Sequence, residues 1–179
     1  MHKLIFPLLF AVVLLAASRF TVQAAAQSLP TVGQVAPTFT LPSQDNTPIS
    51  LASYRGKWVV LYFYPKDMTP GCTIEAHNFQ RDQAQFDAAG AVILGVSVDT
   101  PDSHRQFCTK ENLTFHLLAD PQHTVVDAYG SLGSFVGFKI ANRNTFLIDP
   151  QGKIAQVWTK VSVQHHSEEV LAAIAVLKK

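Results

Sequence analysis

An unbroken apolar run from Trp58 to Tyr64 has the length and the β-branched and aromatic content of a strand buried on both faces. Pro65 ends it. Thr69-Pro70 then reads as a helix start, with a hydroxyl residue at the N-cap and Pro at the first helical position. The spacing predicts a helix from Pro70 to Ala89, with Ile74, Ala76, Phe79, Phe86 and Ala89 on its inner face and Gly90 as its stop. A second apolar strand, Ala91–Val98, completes a β-α-β unit, whose strands should be parallel and whose crossover should be right-handed. Pro101–Asn112 has the pattern of a short amphipathic helix with Phe107 and Cys108 near its C-terminal end. Phe115–Leu118 reads as a strand or extended segment, and Pro121–Tyr129 as another short helix closed by Gly130. Thr145–Ile148 and Ile154–Trp158 flank Asp149-Pro150-Gln151-Gly152, a type I turn pattern, and should pair as an antiparallel hairpin. Glu168–Leu177 is the closing helix, with Val170, Leu171, Ile174 and Leu177 on one stripe.

Upstream, short apolar patches at Phe39, Leu41, Ile49 and Leu51 are separated by Pro37, Pro42 and the turn signal Asp45-Asn46-Thr47-Pro48. They predict an N-terminal hairpin covering one end of the domain, followed by a single helical turn over Ser50–Gly56. A parallel β-α-β half joined to a β-β-α half is α/β, thioredoxin-like architecture, here with an N-terminal β-hairpin extension.

The first 26 residues stand apart. Lys3 supplies a basic start, Leu4–Ala17 is an apolar run too short to span a membrane, and Val22-Gln23-Ala24 and Ala24-Ala25-Ala26 are acceptable cleavage tripeptides. Residues 1–26 are expected to be a secretory signal peptide that sends the mature chain to an exported, disulfide-permissive compartment such as the bacterial periplasm, with no membrane attachment after cleavage. Residues 27–179 have the size of one domain, and neither an internal repeat nor a Gly/Ser-rich linker divides them. A net charge of +1, a pI near 7.8 and no basic stripe give nucleic-acid binding no electrostatic support.

Candidate chemistry centres on Cys72, one of two cysteines, in the first turn of the helix that follows the buried strand. Unpaired N–H groups and the helix dipole favour a thiolate there. A free thiol is only about 3% ionised at pH 7 and a helix end supplies about 1 kcal/mol, so a cationic side chain is needed to complete the effect. Arg55, Arg81, Arg105 and Arg143 all compete for that part. The second thiol, Cys108, lies 36 positions on, and an ordinary structural bridge between the two would stabilise by ~4 kcal/mol in the chain-entropy model. Cys72 and His77 do not share a helix face and no further ligands cluster near them, while His165-His166 reads as a solvated turn, so no metal site is expected. No flavin, haem or nicotinamide motif is present.

The thioredoxin C-x-x-C pair is missing, because Glu75 stands where the second Cys would be. What is present is Pro65-x-x-x-Thr69-x-x-Cys72, together with VGQVAPTFTLP, YFYPKDMTPGCTIEA and Arg143-x-Thr145-Phe-Leu-Ile-Asp149. On these stretches the chain from about Gly33 to the last helix resembles the peroxiredoxins, more narrowly the Q-type, bacterioferritin-comigratory group. The resemblance implies a thiol peroxidase that reduces hydrogen peroxide and organic hydroperoxides, with Cys72 as the peroxidatic residue. It implies that Thr69 turns its hydroxyl to the sulfur and peroxide, where helix capping is the plainer role. Pro65 would wall the site from water, where ending the strand is the plainer role. Arg143 is the implied cation. Glu75 either orients that Arg or is a solvated first-turn carboxylate.

Many relatives carry a resolving Cys five positions after the first; here that position is His77. The resemblance therefore implies an intramolecular Cys72–Cys108 disulfide, for which one or both helices must unwind, since a bridge needs Cα atoms within about 7 Å. A thioredoxin-like protein would reduce it, and a monomer suffices. The alternatives are an external thiol acting on Cys72 alone, an exported thioredoxin-fold binding or chaperone domain with a structural disulfide, and a dithiol oxidoreductase lacking its usual motif.

Overall fold

The computed structural model describes residues 28–159 and 161–179. The predicted signal peptide lies outside the described residues. A five-stranded sheet forms the centre: β3 (Trp58–Phe63), β4 (Ala91–Ser97), β5 (His116–Ala119), β8 (Thr145–Ile148) and β9 (Ile154–Trp158), in the order β5-β4-β3-β8-β9. β3, β4 and β5 are parallel, and β8 and β9 run antiparallel. All six residues of β3 are buried, as a central strand covered on both faces requires. Its side chains alternate: Val60, Tyr62 and, just beyond the strand, Tyr64 enter one core layer, while Val59, Leu61 and Phe63 enter the other.

The first layer is closed by α1 (Pro70–Arg81), α2 (Gln83–Ala88), α3 (Pro101–Glu111) and α5 (His166–Leu177), which contribute Ala76, Phe79, Phe86, Phe107, Val170 and Ile174. The second is closed by α4 (Thr124–Ala128), the 3-10 turn Leu51–Tyr54 and the N-terminal segment. The predicted hairpin is β1 (Thr40–Pro42) with β2 (Pro48–Ser50). It reaches the β5 edge, where Gln44 N–H donates to the Leu117 carbonyl and Ser43 bridges Leu118. This is the thioredoxin fold with that extension.

Several expectations are corrected. The single helix predicted over Pro70–Ala89 breaks at Asp82, whose backbone leaves the helical region because its buried carboxylate turns inward to accept from Arg81 and Ser167. Ile74 and Leu177, predicted inward, are exposed. The helix predicted from Pro121 begins only at Thr124: His123 is left-handed, and Asp120 accepts hydrogen bonds from the backbone N–H groups of Thr124, Val125 and Val126. An additional hairpin, β6 (Leu132–Phe135) with β7 (Phe138–Ala141), precedes β8.

Candidate active site

The site forms where the C-terminal end of β3 meets the start of β8. Tyr62 pairs with Thr145, and Phe63 N–H donates to the Asn144 carbonyl at 2.8 Å. Arg143, two residues ahead of β8, is thereby delivered to the loop that leaves β3. Pro65 ends β3, Met68 turns through the left-handed region (φ 59°), and Thr69 takes the N-cap position of α1. Cys72 is then the third helical residue, 2% exposed. The first turn passes directly beside the guanidinium: a Cβ on Gly71 would sit 3.4 Å from Arg143 Nη2.

Arg143 faces two groups at once. Its Nη2 donates to Cys72 Sγ at 3.3 Å, and its Nη1 donates to Glu75 Oε2. Glu75 is buried, so of the two sequence readings it is the orienting partner of Arg143 and not a solvated carboxylate. Burial pushes the Glu75 carboxyl up to about 7, against the pull of Arg143. Burial works against the Arg143 charge too, but Glu75 and the Cys72 sulfur outweigh it and raise its pKa. The guanidinium fork suits this double task, since two of its N–H groups point to two acceptors from one fixed plane. Asn144, also buried, anchors the segment by donating to Ser131 Oγ at 2.9 Å.

Thr69 occupies the N-cap position but makes no side-chain cap bond; its hydroxyl donates to the Lys66 carbonyl at 3.0 Å. The predicted capping role is thus filled by position alone. Pro65 is half-buried and borders a hollow of about 370 Å³ lined also by Val98, Phe135, Phe138 and Ile140. Cys108 lies on α3 in the same core layer as Cys72, and both thiols are free and buried. Burial, reinforced by Asp67 and Asp45, pushes the Cys108 thiol up to about 12.

Sequence reasoning missed a buried polar cluster beside the loop. Tyr64 hydroxyl donates to Asp67 Oδ1 at 2.7 Å, Ser103 hydroxyl donates to Asp67 Oδ2 at 2.6 Å, and His104 Nδ1 lies 2.8 Å from the same oxygen. Burial opposes the Asp67 charge, yet these donors hold its carboxyl below the usual range. A Ser-His pair one turn before Cys108 on a polar helix was the only signal, and nothing in its spacing says that it faces inward.

A cysteine in the first turn of a helix after the central strand, paired with an Arg from the loop that enters the neighbouring strand of a thioredoxin fold, defines a class. The AhpC/TSA family model matches residues 32–157, and the chain belongs to that family. Within it the chain is a peroxiredoxin of the Bcp, or Q-type, group, a peroxidase of the oxidoreductase class. It is 41% identical over 150 residues to peroxiredoxin Bcp of Bacillus subtilis, covering 80% of this chain and 94% of that one. Among solved structures, a Cys-to-Ser mutant of Xylella fastidiosa PrxQ superposes with a TM-score of 0.80 at 34% identity, covering 85% of this chain and 99% of the other. The Xanthomonas campestris bacterioferritin comigratory protein, solved as a trapped intermediate/ligand complex in relation to its alkyl peroxide reduction, gives 0.76 at 36%, covering 83% and 100%.

Proposed function

We propose that the chain reduces hydrogen peroxide and organic hydroperoxides through Cys72. The observation that carries this reading is the Arg143 guanidinium 3.3 Å from the Cys72 sulfur, itself held in place by buried Glu75. The Cys72 thiolate attacks the terminal peroxide oxygen. A sulfur–oxygen bond forms, the O–O bond breaks, and the alkoxide leaves and takes a proton to become an alcohol, or water when the substrate is hydrogen peroxide. Arg143 donates to the oxygens as charge develops on them, and Thr69 hydroxyl is close enough in the chain to join it after turning from Lys66. Cys108 thiol then attacks the sulfenic sulfur, forming the Cys72–Cys108 disulfide and releasing water. A thioredoxin-like dithiol returns both cysteines to thiols. The bond is intramolecular, so a monomer is sufficient.

The basic start, apolar run and Ala cluster of residues 1–26 support an exported protein. N-terminal sequencing of protein from a periplasmic extract checks it: a mature terminus near Gln27 is expected, and an intact Met1 terminus counts against export.

Mass mapping after one equivalent of peroxide tests the chemistry. The reduced protein should consume the oxidant and gain a Cys72–Cys108 bridge that a thioredoxin-like protein removes. Cys72→Ser should abolish consumption, while Cys108→Ser should consume one equivalent and stop at sulfenic acid. A bridge that forms without peroxide and resists dithiol reductants would instead favour a structural disulfide.

A further inference from the structure

The Asp67 cluster touches neither sulfur, yet it joins the catalytic loop to the helix that carries Cys108. Asp67 lies between Pro65 and Thr69 and is 5% exposed. It accepts from Tyr64 at the end of β3 and from Ser103 on α3, with His104 Nδ1 at 2.8 Å completing the set. His104 is wholly buried, and its other nitrogen, Nε2, has no hydrogen-bond partner among the described residues. The loop is fixed to β4 as well: Asp67 N–H donates to Asp99 Oδ2 at 2.9 Å, and Ser97 hydroxyl donates to the same oxygen at 2.7 Å.

Cys108 follows His104 by four residues, one helical turn along α3. At the far end of α3, Glu111 meets His77 of α1 at 2.9 Å. The second cysteine thus sits between two tethers, and the upstream one is buried. Cys72 and Cys108 stand on separate wound helices, and a bridge between them needs Cα atoms within about 7 Å, which local unwinding would supply. Cys72 is itself closely packed, and an oxygen added to its sulfur presses on the first turn of α1 and on the loop that feeds it.

We propose that Asp67 is a latch: its hydrogen bonds to Ser103 and His104 keep α3 wound while Cys72 is reduced, and their rupture releases Cys108 toward the oxidised sulfur. This rests on the reading of Cys108 as the resolving thiol. Asp67, Ser103 and His104 are positioning residues, acting on the rate of disulfide formation and not on the attack on peroxide. A latch that holds longer leaves the sulfenic acid exposed to a second peroxide for longer. The same three residues therefore set how much peroxide converts Cys72 to sulfinic acid.

The test uses the mature protein with Ser103→Ala, Ser103→Thr and Asp67→Asn. Stopped-flow fluorescence of the native tryptophans follows oxidation and disulfide formation, mass spectrometry scores sulfinic acid, and hydrogen exchange follows the α3 amides. Ser103→Ala should leave the oxidation phase unchanged, and Ser103→Thr, which keeps the hydroxyl, should match the native protein. In Ser103→Ala and Asp67→Asn the disulfide step, exchange around Cys108 and the peroxide needed for half sulfinic acid should each rise about tenfold, the scale of one hydrogen bond to a buried charge. Unchanged exchange in α3, or a disulfide step that is unchanged or slower, overturns the latch. If the native protein joins no Cys72–Cys108 bond, the resolving role falls, and exchange in α3 alone decides whether Asp67 holds the helix.

Discussion

Removing the Arg143 guanidinium leaves two buried groups without their partner, the Glu75 carboxyl and the Cys72 sulfur. The effects should separate. Deleting one member of a buried pair costs about 3–5 kcal/mol, and because the Arg143 side chain is 21% exposed a smaller loss, about 2–3 kcal/mol, is expected for Arg143→Ala in urea unfolding. Peroxide reduction should fall further, about 10²–10³-fold, as for the loss of a donor aimed at developing charge. Arg143→Lys keeps a cation but not the fork. It should recover most of the stability and little of the rate, and a variant that recovers both equally would show that charge alone matters. The amino-acid pattern alone leaves Arg55, Arg81, Arg105 and Arg143 in competition as the partner of Cys72, and the family resemblance of Arg143-x-Thr145-Phe-Leu-Ile-Asp149 is needed to single out Arg143. The pattern leaves Glu75 undecided, since a first-turn carboxylate is as natural in water as in a core.

At the scale of elements, the middle of β4 carries a tight packing constraint next to the site. Gly95 lies opposite Tyr62, and a Cβ there would come within 2.7 Å of both the Tyr62 ring and Leu117 Cδ2. Gly95→Ala must push the Tyr62 ring, which stacks on Tyr64 and lies tilted against Phe79, at an overpacking cost of about 1–3 kcal/mol. For a domain of this size each kcal/mol lowers Tm by about 2–4 °C, so calorimetry should record a fall of several degrees; an unchanged Tm would mean that the layer yields to the added methyl without strain. Strands such as β3 and β4 were legible because burial on both faces writes itself as a continuous apolar run. The β6–β7 hairpin was not, since Phe135, Val136 and Phe138 are apolar but exposed, which inverts the usual signal. The break at Asp82 and the cluster on Asp67 were hidden for the opposite reason. Both are polar groups held inside by partners far away in sequence, Ser167 for the one and His104 for the other, and a polar letter says nothing of such partners.

For the molecule as a whole, the proposed Cys72–Cys108 bond raises the question of how a thiol in one wound helix reaches one in another. The Cys108 proton is held more tightly in the folded state, at about 12, than in an unfolded chain, where a thiol titrates near 8.5. Because the folded value is the higher, this contribution to stability is complete below about pH 8.5 and is lost as pH rises toward 12. Ionising Cys108 without moving it therefore costs more than ionising it after release, by about 4 kcal/mol at most. Opening one short helix, a fraction of the global unfolding free energy, is the cheaper route if it stays below that figure. The disulfide step, followed from preformed sulfenic acid, should then climb tenfold per pH unit and level off near pH 8.5, the value of a released thiol. A rate still climbing at pH 10 would mean that Cys108 ionises inside the wound helix, and that α3 need not open for the two sulfurs to meet.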